Sequence, residues 1–383
     1  MKIVVAIDKF KGSATAQQLA QCIDCTISRH MPGTVIEQVP IADGGDGTAH
    51  ALALSLLTPL QGKREVKVPG PLPSLTDDGA QQPTVIATYY VDTAHSTAYM
   101  DLASASGLTL VPSADRDVMH SSTFGTGVMI HDAITHGVSH IVLGLGGSAT
   151  CDGAMGLLAA LGCEFLDAEG HRLLPSASNL RCVARVDTSE MEVVTRGVKF
   201  TLLVDVSNPL TGPNGAARVF APQKGASPLQ VDELEQGLDN LARFMPAGIS
   251  CLPGAGAAGG VAAGMAAFLG ATITPGIDYV LDVAHFDSIV ADANLVITGE
   301  GRIDSQTAMG KAPQGVLKVA RRHGVPVIAL CGSIAPGTSV SQLGFARVIE
   351  VTPHDMPLNE AMDTAMTLSN VEKAVTSFIS NWK

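Results

Sequence analysis

The chain has 383 residues, of which 46% are hydrophobic and 16% are charged. This length favours two domains over one small core, and the composition is typical of a well-packed globular protein and not of a disordered one. The net charge of −12 argues against nucleic acid and against an anionic membrane surface as main partners. A small anionic substrate stays compatible with it, because such a substrate needs only a local basic pocket.

The sequence also predicts a cellular compartment. The apolar N-terminal stretch Met1–Ile7 is too short for a signal-peptide core, and no run approaches the ~18 apolar residues of a membrane span. Cysteines number 7 and are scattered, as is typical of a reducing cytosol. Cys22 and Cys25 form a CxxC pair inside a helical pattern, which favours core or helix-surface cysteines over a metal or redox site. We therefore expect a cytoplasmic protein that does not bind membranes.

The first strand-to-helix loop is basic. Lys2–Ile7 is predicted to be a buried strand, and the loop Asp8–Ser13 follows it, with its last residue capping a helix over about 14–29. Lys9 and Lys11 would then lie between the carboxyl end of a strand and the start of a helix, where backbone N–H groups favour an anion. A charged loop that binds nothing is the alternative.

The second strand-to-helix loop combines glycines and acids. A strand over 34–39 is predicted to end before Asp43, and Asp46 lies three residues further on, among three glycines and ahead of a helix that reaches Leu57. Glycine permits close approach of a ligand to the backbone, and paired carboxylates beside phosphates indicate Mg²⁺ or a general base. An Asx turn that only caps the helix is the alternative.

The character of the chain changes after residue 60. Turn signals at Pro69–Pro73 and Asp77–Gly79 precede a predicted strand over 84–93, and a helix is predicted over 99–106. Because stretches near both ends of the chain are typical of buried parallel strands, we expect a discontinuous Rossmann-like α/β domain and an inserted second α/β domain. The expected boundaries are 1–60 plus 285–383 for the first and 61–284 for the second. A simple sequential split is the alternative.

A glycine-rich loop follows the predicted strand over 140–143 and precedes a helix over about 152–161. Its residues Gly144, Gly146 and Ala149 match G-x-G-x-x-A, and Glu164 follows at about the distance of a ribose-binding acid. Its hydroxyl side chains suit phosphate oxygens. These features favour an anion-binding loop, and a dinucleotide site is the minority alternative.

Two further stretches are candidate ligand sites. Asp205 follows a predicted strand over 200–204, a position where a Mg²⁺-binding carboxylate often lies in phosphoryl-transfer enzymes. The glycine-rich segment 254–260 precedes a small, apolar helix, so close helix packing explains it as well as ligand binding does.

The stretch 294–311 has the densest set of polar residues. A buried strand over 294–298 is predicted to lead into a tight turn, Gly299–Arg302, with Asp304, Gln306 and Lys311 close behind and a helix from about Pro313. The next strand is expected over 325–330. Ligands of α/β sheets lie beyond the carboxyl ends of the strands, so these side chains are expected at the rim of a binding site. A polar turn with surface ion pairs is the alternative.

Several known motifs are absent from the sequence. It has no HxH or HExxH pattern for zinc, no GxSxG elbow, no Walker A loop and no protein-kinase set.

Five separated stretches stand out together: DKFKGS at 8–13, ADGGDGT at 42–48, GLGGSAT at 144–150, FAPQKG at 220–225 and TGEGRIDSQ at 298–306. In this order, and over nearly the whole chain, they resemble the signature stretches of the bacterial class I glycerate kinases. The resemblance implies phosphorylation of D-glycerate at its 2-hydroxyl with ATP and Mg²⁺, in a cleft between two α/β domains. Cys151 and Ala154 stand where Asn and Gly are expected, and Asp46 stands where Glu is common.

Roles for the residues in these stretches follow as hypotheses. Phosphoryl transfer needs a phosphate-binding loop, cations, a metal-binding acid and an acid near the attacking hydroxyl. The glycerate carboxylate or the transferring phosphoryl group would be held by Lys9, Lys11 and Arg302, and Asp43 or Asp46 would orient or deprotonate the hydroxyl. Asp205 or Asp304 would bind Mg²⁺, and Asp304 also counts among the catalytic candidates. The nucleotide would contact Gly144, Gly146, Gly147, Ser148, Ala149, Thr150, Gly299, Glu300, Gly301 and Lys311.

Two other classes stay open at this stage. A dinucleotide-dependent oxidoreductase would use Gly144–Ala149, and a non-catalytic sensor of a sugar acid would use the same pocket without turnover. The expected partners are a small-molecule substrate and a nucleotide, with no nucleic acid and no membrane. The sequence leaves the oligomeric state open, a homodimer being one option.

Overall fold

The computed structural model describes residues 1–56, 62–72, 83–304, 307 and 311–382. The chain forms two units: residues 1–43, 54–56 and 277–383 make the first, and residues 44–53 and 57–276 make the second. The domain boundaries inferred from the sequence, 1–60 plus 285–383 and 61–284, stay a prediction beside these units. The predicted turn Asp77–Gly79 and the rim residue Gln306 lie outside the described residues.

Within the described ranges, the strands in chain order are β1 (Lys2–Ile7), β2 (Val35–Gln38), β3 (Lys63–Pro69), β4 (Thr84–Asp92), β5 (Thr97–Asp101), β6 (His140–Gly144), β7 (Glu164–Leu166), β8 (Arg185–Asp187), β9 (Lys199–Val204), β10 (Thr272–Pro275), β11 (Leu295–Ile303), β12 (Val327–Ile334) and β13 (Arg347–Glu350). The helices are α1 (Ala16–His30), α2 (Thr48–Leu56), α3 (Ala103–Ser106), α4 (Phe124–Thr135), α5 (Met155–Ala160), α6 (Ser189–Val194), α7 (Ala216–Phe220), α8 (Pro228–Ala242), α9 (Ala257–Leu269), α10 (Gly276–Val283), α11 (Phe286–Val290), α12 (Ala312–Arg322), α13 (Val340–Leu343), α14 (Leu358–Ala361) and α15 (Thr364–Ser380).

The sheet of the first unit has five strands in the order β13-β12-β11-β1-β2, and all neighbouring strands are parallel. Ile3 to Ile7 on β1 are almost completely buried, as the continuous apolar run of a parallel strand requires. Helices α1 and α15 contribute Leu19, Ile23, Val371 and Val375 to the same core. The prediction of an α/β fold with a Rossmann-like parallel sheet is confirmed.

The sheet of the second unit is mixed. Its order is β10-β9-β6-β5-β4-β3, with parallel pairing from β10 to β5 and antiparallel pairing from β5 to β3. Strands β7 and β8 form a separate antiparallel pair. Because β5, β6 and β9 are adjacent and parallel, the loops after them lie along one edge of the sheet.

Helix α1 starts later than the sequence suggested. Its N-cap is Thr15, which forms a capping box with Gln18, whereas the Ser13 hydroxyl donates a 3.2 Å bond to the Phe10 carbonyl. The predicted cap at Ser13 is therefore wrong, because the loop folds back on itself through the Phe10–Ala14 bridge before the helix begins.

The predicted helix over 99–106 is confirmed only for its second half, Ala103–Ser106, and is wrong before it. Residues Thr97–Asp101 are the fully buried strand β5, which pairs with β4 on one side and β6 on the other. Only the short α3 is helical. Pairing with two strands, one of them more than 35 residues away in sequence, outweighs the local preference for helix.

The third difference concerns the expected tight turn Gly299–Arg302. These residues continue β11, and their pairing with β12 runs through Ile303 opposite Ile334. A Cβ at Gly299 would lie 2.1 Å from the Leu330 carbonyl oxygen. The glycine is thus required by close approach of the neighbouring strand and not by a turn.

Helices near the C-terminus are separated by residues with identifiable roles. His285, whose φ is +52°, separates α10 from α11, and the C-terminal helix α15 starts after the cap residue Asp363. Among the described helices, none combines the length and the apolar character that spanning a membrane requires.

Candidate active site

The carboxyl ends of three strands in the first unit bring acids together. The register pairs Ile7 with Gly299, so Asp8 follows β1 at the level where Glu300 lies on β11. The Asp8 amide donates a 3.0 Å bond to the Gly299 carbonyl. Asp43 follows β2, the neighbour of β1, and its charge acts on both Asp8 and Glu300. The sheet thus gathers three carboxyl groups that are far apart in sequence.

Glu300 is held by a short polar network. It is 8% exposed, and its Oε1 accepts a 2.6 Å hydrogen bond from the Thr307 hydroxyl. The Asp304 amide donates 3.0 Å to Thr307 Oγ1. Lys311 Nζ lies 3.9 Å from Glu300 Oε2 and 4.0 Å from Asp304 Oδ1. The predicted residues Glu300, Asp304 and Lys311 are therefore neighbours. Thr307 is hydrogen-bonded to the first two.

The electrostatics of this cluster favour proton exchange near neutral pH. Burial is the main cause that raises the pKa of Glu300 to about 7, and the charges of Asp43 and Asp304 act in the same direction, against Thr307 and Lys311. Burial, followed by the charge of Asp43, also raises the pKa of Asp8. Carboxyl groups whose pKa lies near the working pH are suited to general acid–base chemistry.

The predicted basic residues Lys9, Lys11 and Arg302 lie on the loop after β1 and on β11. A Cβ at Gly301 would lie 3.2 Å from the Lys11 amide nitrogen, so the loop that carries Lys9 and Lys11 passes close to β11. Arg302 is exposed and lies opposite Ser333. Because side chains alternate along a strand, Arg302 and Glu300 project to the same side of the sheet.

In the second unit, two glycine-rich loops pack against each other. A Cβ at Gly146 would lie 2.4 Å from Gly45 Cα. Asp101, at the end of β5, accepts 2.9 Å and 3.0 Å bonds from the Gly47 and Ala49 amides and fixes the first loop. Asp46 is exposed in that loop, next to Gly147. A side chain larger than that of glycine at position 146 would disrupt this packing.

The second loop, Gly144–Thr150, holds hydroxyl groups in a buried position. Ser148 is 6% exposed, and its hydroxyl oxygen accepts a 2.7 Å bond from Lys224. Thr150 is fully buried, and its Oγ1 has no hydrogen-bond partner among the described residues. A bound phosphate oxygen would supply a partner for such a hydroxyl. The segment Gly254–Gly260 packs on this loop, since a Cβ at Gly259 would lie 2.2 Å from the Thr150 carbonyl oxygen.

Asp205 is exposed after β9 in the second unit, whereas Asp304 belongs to the cluster of the first unit. In the described part of the chain, one group of His, Cys, Asp or Glu residues has three potential metal-ligand atoms within 4.8 Å of one another. This group is Asp167, Glu169 and His171, in a loop at the surface. The role of Asp205 and Asp304 in binding a metal stays a prediction, as do the roles of the other proposed site residues.

The geometry disfavours the dinucleotide alternative. Glu164 starts β7, which pairs with β8 in the small antiparallel sheet and not with the parallel strands, and its carboxylate forms an ion pair with Arg172. Helix α5 begins only after Ala154, whose φ is +72°. An acid in this position is not placed as a ribose-binding residue of a Rossmann unit is.

Three candidate residues were missed by sequence reasoning. Asp8 follows a buried strand, which is the signal that singled out Asp205. Lys224 lies inside the FAPQKG stretch, but the sequence alone does not indicate its role. Asp101 gives no signal, because the local sequence predicts a helix where β5 lies. Cys151, one of the departures from the expected motif, is fully buried in the core.

An α/β fold in which acids, lysines and a glycine-rich loop follow parallel strands is typical of enzymes that act on small phosphorylated or carboxylated molecules. The family model described as "Glycerate kinase family" matches residues 3–383. A glycerate kinase of Halalkalibacterium halodurans is 40% identical over 386 residues, covering 99% of this chain and 98% of the relative. The glycerate 2-kinase of Escherichia coli is 38% identical, covering 94% of this chain and 93% of the relative.

The solved structures agree with this result. A crystal structure described as glycerate kinase 2 of Salmonella typhimurium LT2 matches with a TM-score of 0.81 and 37% identity, over 99% of this chain and 97% of that chain. The chain therefore belongs to the glycerate kinase family. The predicted family is confirmed, and so is the prediction of an enzyme of the phosphotransferase class.

Proposed function

We propose that the protein transfers the γ-phosphoryl group of ATP to the 2-hydroxyl of D-glycerate, giving 2-phospho-D-glycerate and ADP. Family membership over residues 3–383 is the observation that carries this proposal, and the relative from E. coli named glycerate 2-kinase supports the 2-position. The site geometry is consistent with it, because the chain provides both an anion-binding loop and a cluster of acids and lysines.

The loop Gly144–Thr150 is the proposed phosphate-binding loop for the nucleotide. Its glycines allow close backbone approach, and the hydroxyls of Ser148 and Thr150 can donate to phosphate oxygens. Gly299, Glu300, Gly301 and Lys311 complete the proposed nucleotide contacts, with Lys311 as the cation of that set.

The carboxylates present fit a hard divalent cation, which takes oxygen ligands. Asp304 in the first unit, or Asp205 in the second, is the proposed ligand for Mg²⁺. When bound, Mg²⁺ would neutralise charge on the phosphate oxygens. Burial first, and then the charge of Asp43, raise the pKa of both Glu300 and Asp8, and a bound cation would favour their charged forms.

The chain's own residues would bind and deprotonate glycerate. Lys9, Lys11 and Arg302 are the proposed partners of its carboxylate, and the guanidinium of Arg302 can bind a carboxylate through two parallel hydrogen bonds. Asp43, or Asp46 in the second unit, orients the 2-hydroxyl. As the new O–P bond forms and the bond to ADP breaks, the hydroxyl proton passes to a carboxylate of the Asp8, Asp43 and Glu300 cluster.

A steady-state assay of ADP release tests this function. We expect turnover only with ATP, Mg²⁺ and D-glycerate together, and little turnover with L-glycerate or with water as acceptor. Chelation of Mg²⁺ should abolish the reaction. Release of ADP that does not depend on any added sugar acid would overturn the proposal.

A further inference from the structure

Lys224 is a buried lysine that the proposed reaction does not yet use. It ends the short turn Pro222–Lys224 and is only 3% exposed. Its Nζ donates a 2.7 Å bond to the Ser148 hydroxyl oxygen and a 2.6 Å bond to the Thr150 carbonyl oxygen. Both acceptors belong to the loop Gly144–Thr150, so the ammonium group is attached directly to the proposed phosphate-binding loop.

Among the described residues the Lys224 ammonium group is part of no salt bridge, and the buried carboxyl group of Asp152 acts on it from beyond salt-bridge distance. Both of its hydrogen-bond acceptors are neutral. Burial of an ammonium group without a salt-bridge partner is costly. An apolar side chain of similar length would fill the space without this cost, so a role in packing does not account for the charge.

The hydrogen bonds of Lys224 leave the hydroxyl groups of Ser148 and Thr150 able to donate to a ligand. Ser148 uses its oxygen as the acceptor for Lys224, which leaves the O–H free to point at another acceptor. The Thr150 carbonyl is likewise occupied by Lys224, while the buried Thr150 hydroxyl has no partner among the described residues. An oxyanion bound here would accept from the two hydroxyls and balance the ammonium charge.

We propose that Lys224 is a positioning residue for the nucleotide: its ammonium group orients Ser148 and Thr150 and supplies the positive charge that the loop needs to bind a phosphate group. This inference rests on the proposed function, because it takes Gly144–Thr150 to be the phosphate-binding loop. The ligand class is a nucleoside di- or triphosphate.

The first test measures binding of ADP with Mg²⁺ by calorimetry. Lys224→Met should weaken binding about 10- to 100-fold, the loss expected for a hydrogen bond to a charged group, and Lys224→Arg should recover part of it. Ser148→Ala, which keeps the ammonium group, should cost less than Lys224→Met. The matched control is Lys199→Met, because Lys199 is exposed at the start of β9 and its removal should leave the Kd unchanged.

The second test distinguishes a role of the positive charge of Lys224 from a role of its hydrogen bonds alone. Burial lowers the pKa of Lys224 to about 8, and the buried carboxyl group of Asp152 acts in the opposite direction. Cys151 stays a neutral thiol in this range, since burial raises its pKa to about 11. As the pH rises from about 7 to about 9.5, wild-type affinity for ADP should fall and approach that of Lys224→Met. A neutral lysine still donates hydrogen bonds. If Lys224 acted only through its hydrogen bonds, the ADP affinities of the wild type and Lys224→Met would not converge as the pH rises.

Each outcome decides the inference. Equal Kd values for wild type and Lys224→Met, or a difference that does not change with pH, would overturn it. If Lys224→Met does not fold, the pH profile of the wild type decides, together with Lys224→Arg. A wild-type protein that binds ADP but does not phosphorylate D-glycerate would count against the proposed function and not against Lys224.

Discussion

Glu300 is the residue whose chemistry depends most on its surroundings. Its pKa of about 7 is raised by burial and by nearby acids, so at pH 8 it is mainly a carboxylate that can accept the hydroxyl proton. Glu300→Gln keeps the acceptor for Thr307 but removes the base. We expect kcat to fall about 100-fold and the decline of wild-type kcat below about pH 7 to disappear. Steady-state kinetics from about pH 5.5 to 9 would measure both.

The matched control for this variant is Glu372→Gln. Glu372 lies on α15 of the same unit and forms an ion pair with Arg29 at the surface, so its change should leave kcat and the pH profile as in the wild type. Near wild-type kinetics for Glu300→Gln would instead assign the proton to Asp8 or Asp43.

The raised pKa of Asp8 predicts how the stability of the folded protein changes when this residue is replaced. Its pKa in the folded protein is raised by burial first and by Asp43 second. A raised carboxyl pKa favours folding while the group is protonated, and this contribution is lost as the pH rises from its ordinary pKa near 4 through the raised value. Asp8→Asn should therefore stabilise the protein at pH 8, by about 1 kcal/mol or more, with a smaller gain at pH 5. Urea unfolding at the two pH values measures the difference, and a destabilised variant at pH 8 would contradict it.

The identities of several candidate residues could be predicted, but their environments could not. Lys9, Asp43 and Glu300 follow or end apolar runs, and that pattern is readable in one sequence. The pKa of Glu300 depends on Asp43, which is more than 250 residues away in sequence and is brought close by the order of the strands. Lys224 was missed for the same reason, since only the folded chain shows that it is buried against Ser148.

At the scale of elements, the start of α1 gives a paired test. Thr15 and Gln18 form the capping box, whereas Ser13 only closes the preceding loop. Thr15→Ala should cost about 1 kcal/mol in the first turn of the helix, and Ser13→Ala should cost clearly less. Amide hydrogen exchange of the first turn would be about five times faster in the first variant. Equal effects of the two variants would argue for a cap at Ser13.

Strand β11 gives a second paired test. Any side chain at Gly299 meets the Leu330 carbonyl oxygen, so Gly299→Ala must separate β11 from β12 and should destabilise the protein by about 3 kcal/mol. Gly33, in the same unit, has φ +88° and open space around its Cα. Gly33→Ala should cost only about 1 kcal/mol of backbone strain. Similar unfolding midpoints in urea for the two variants would show that β11 tolerates the extra atom.

Helices and strands could be predicted where the local pattern of apolar residues determines the structure. The buried strand β1 and the strand–loop–helix order around Gly144–Thr150 follow from apolar runs and glycines. The segment 99–106 and the stretch Gly299–Arg302 were misassigned because their structure is decided by strands elsewhere. Tyr99 pairs with Val142, and Gly299 is required by the close approach of the Leu330 carbonyl oxygen on β12. Local propensity carries no information on such partners.

At the scale of the molecule, the sequence was sufficient for the fold class and the family. Five motifs in a fixed order identified the glycerate kinase family, and the match over residues 3–383 confirms it. Domain boundaries were less accessible, since a boundary depends on which residues pack together. The segment 44–53 illustrates this, because it belongs to the second unit although the residues before it belong to the first. The active site expected between two domains stays a prediction.

The central claim is transfer of a phosphoryl group from ATP to the 2-hydroxyl of D-glycerate. The most direct measurement is ³¹P NMR of the purified protein with ATP, Mg²⁺ and D-glycerate. We expect the γ-phosphate signal of ATP to be replaced by one phosphomonoester signal that coincides with added 2-phosphoglycerate. A product that coincides with 3-phosphoglycerate would contradict the assigned position, and ATP that stays intact over hours with either enantiomer of glycerate would contradict the function itself.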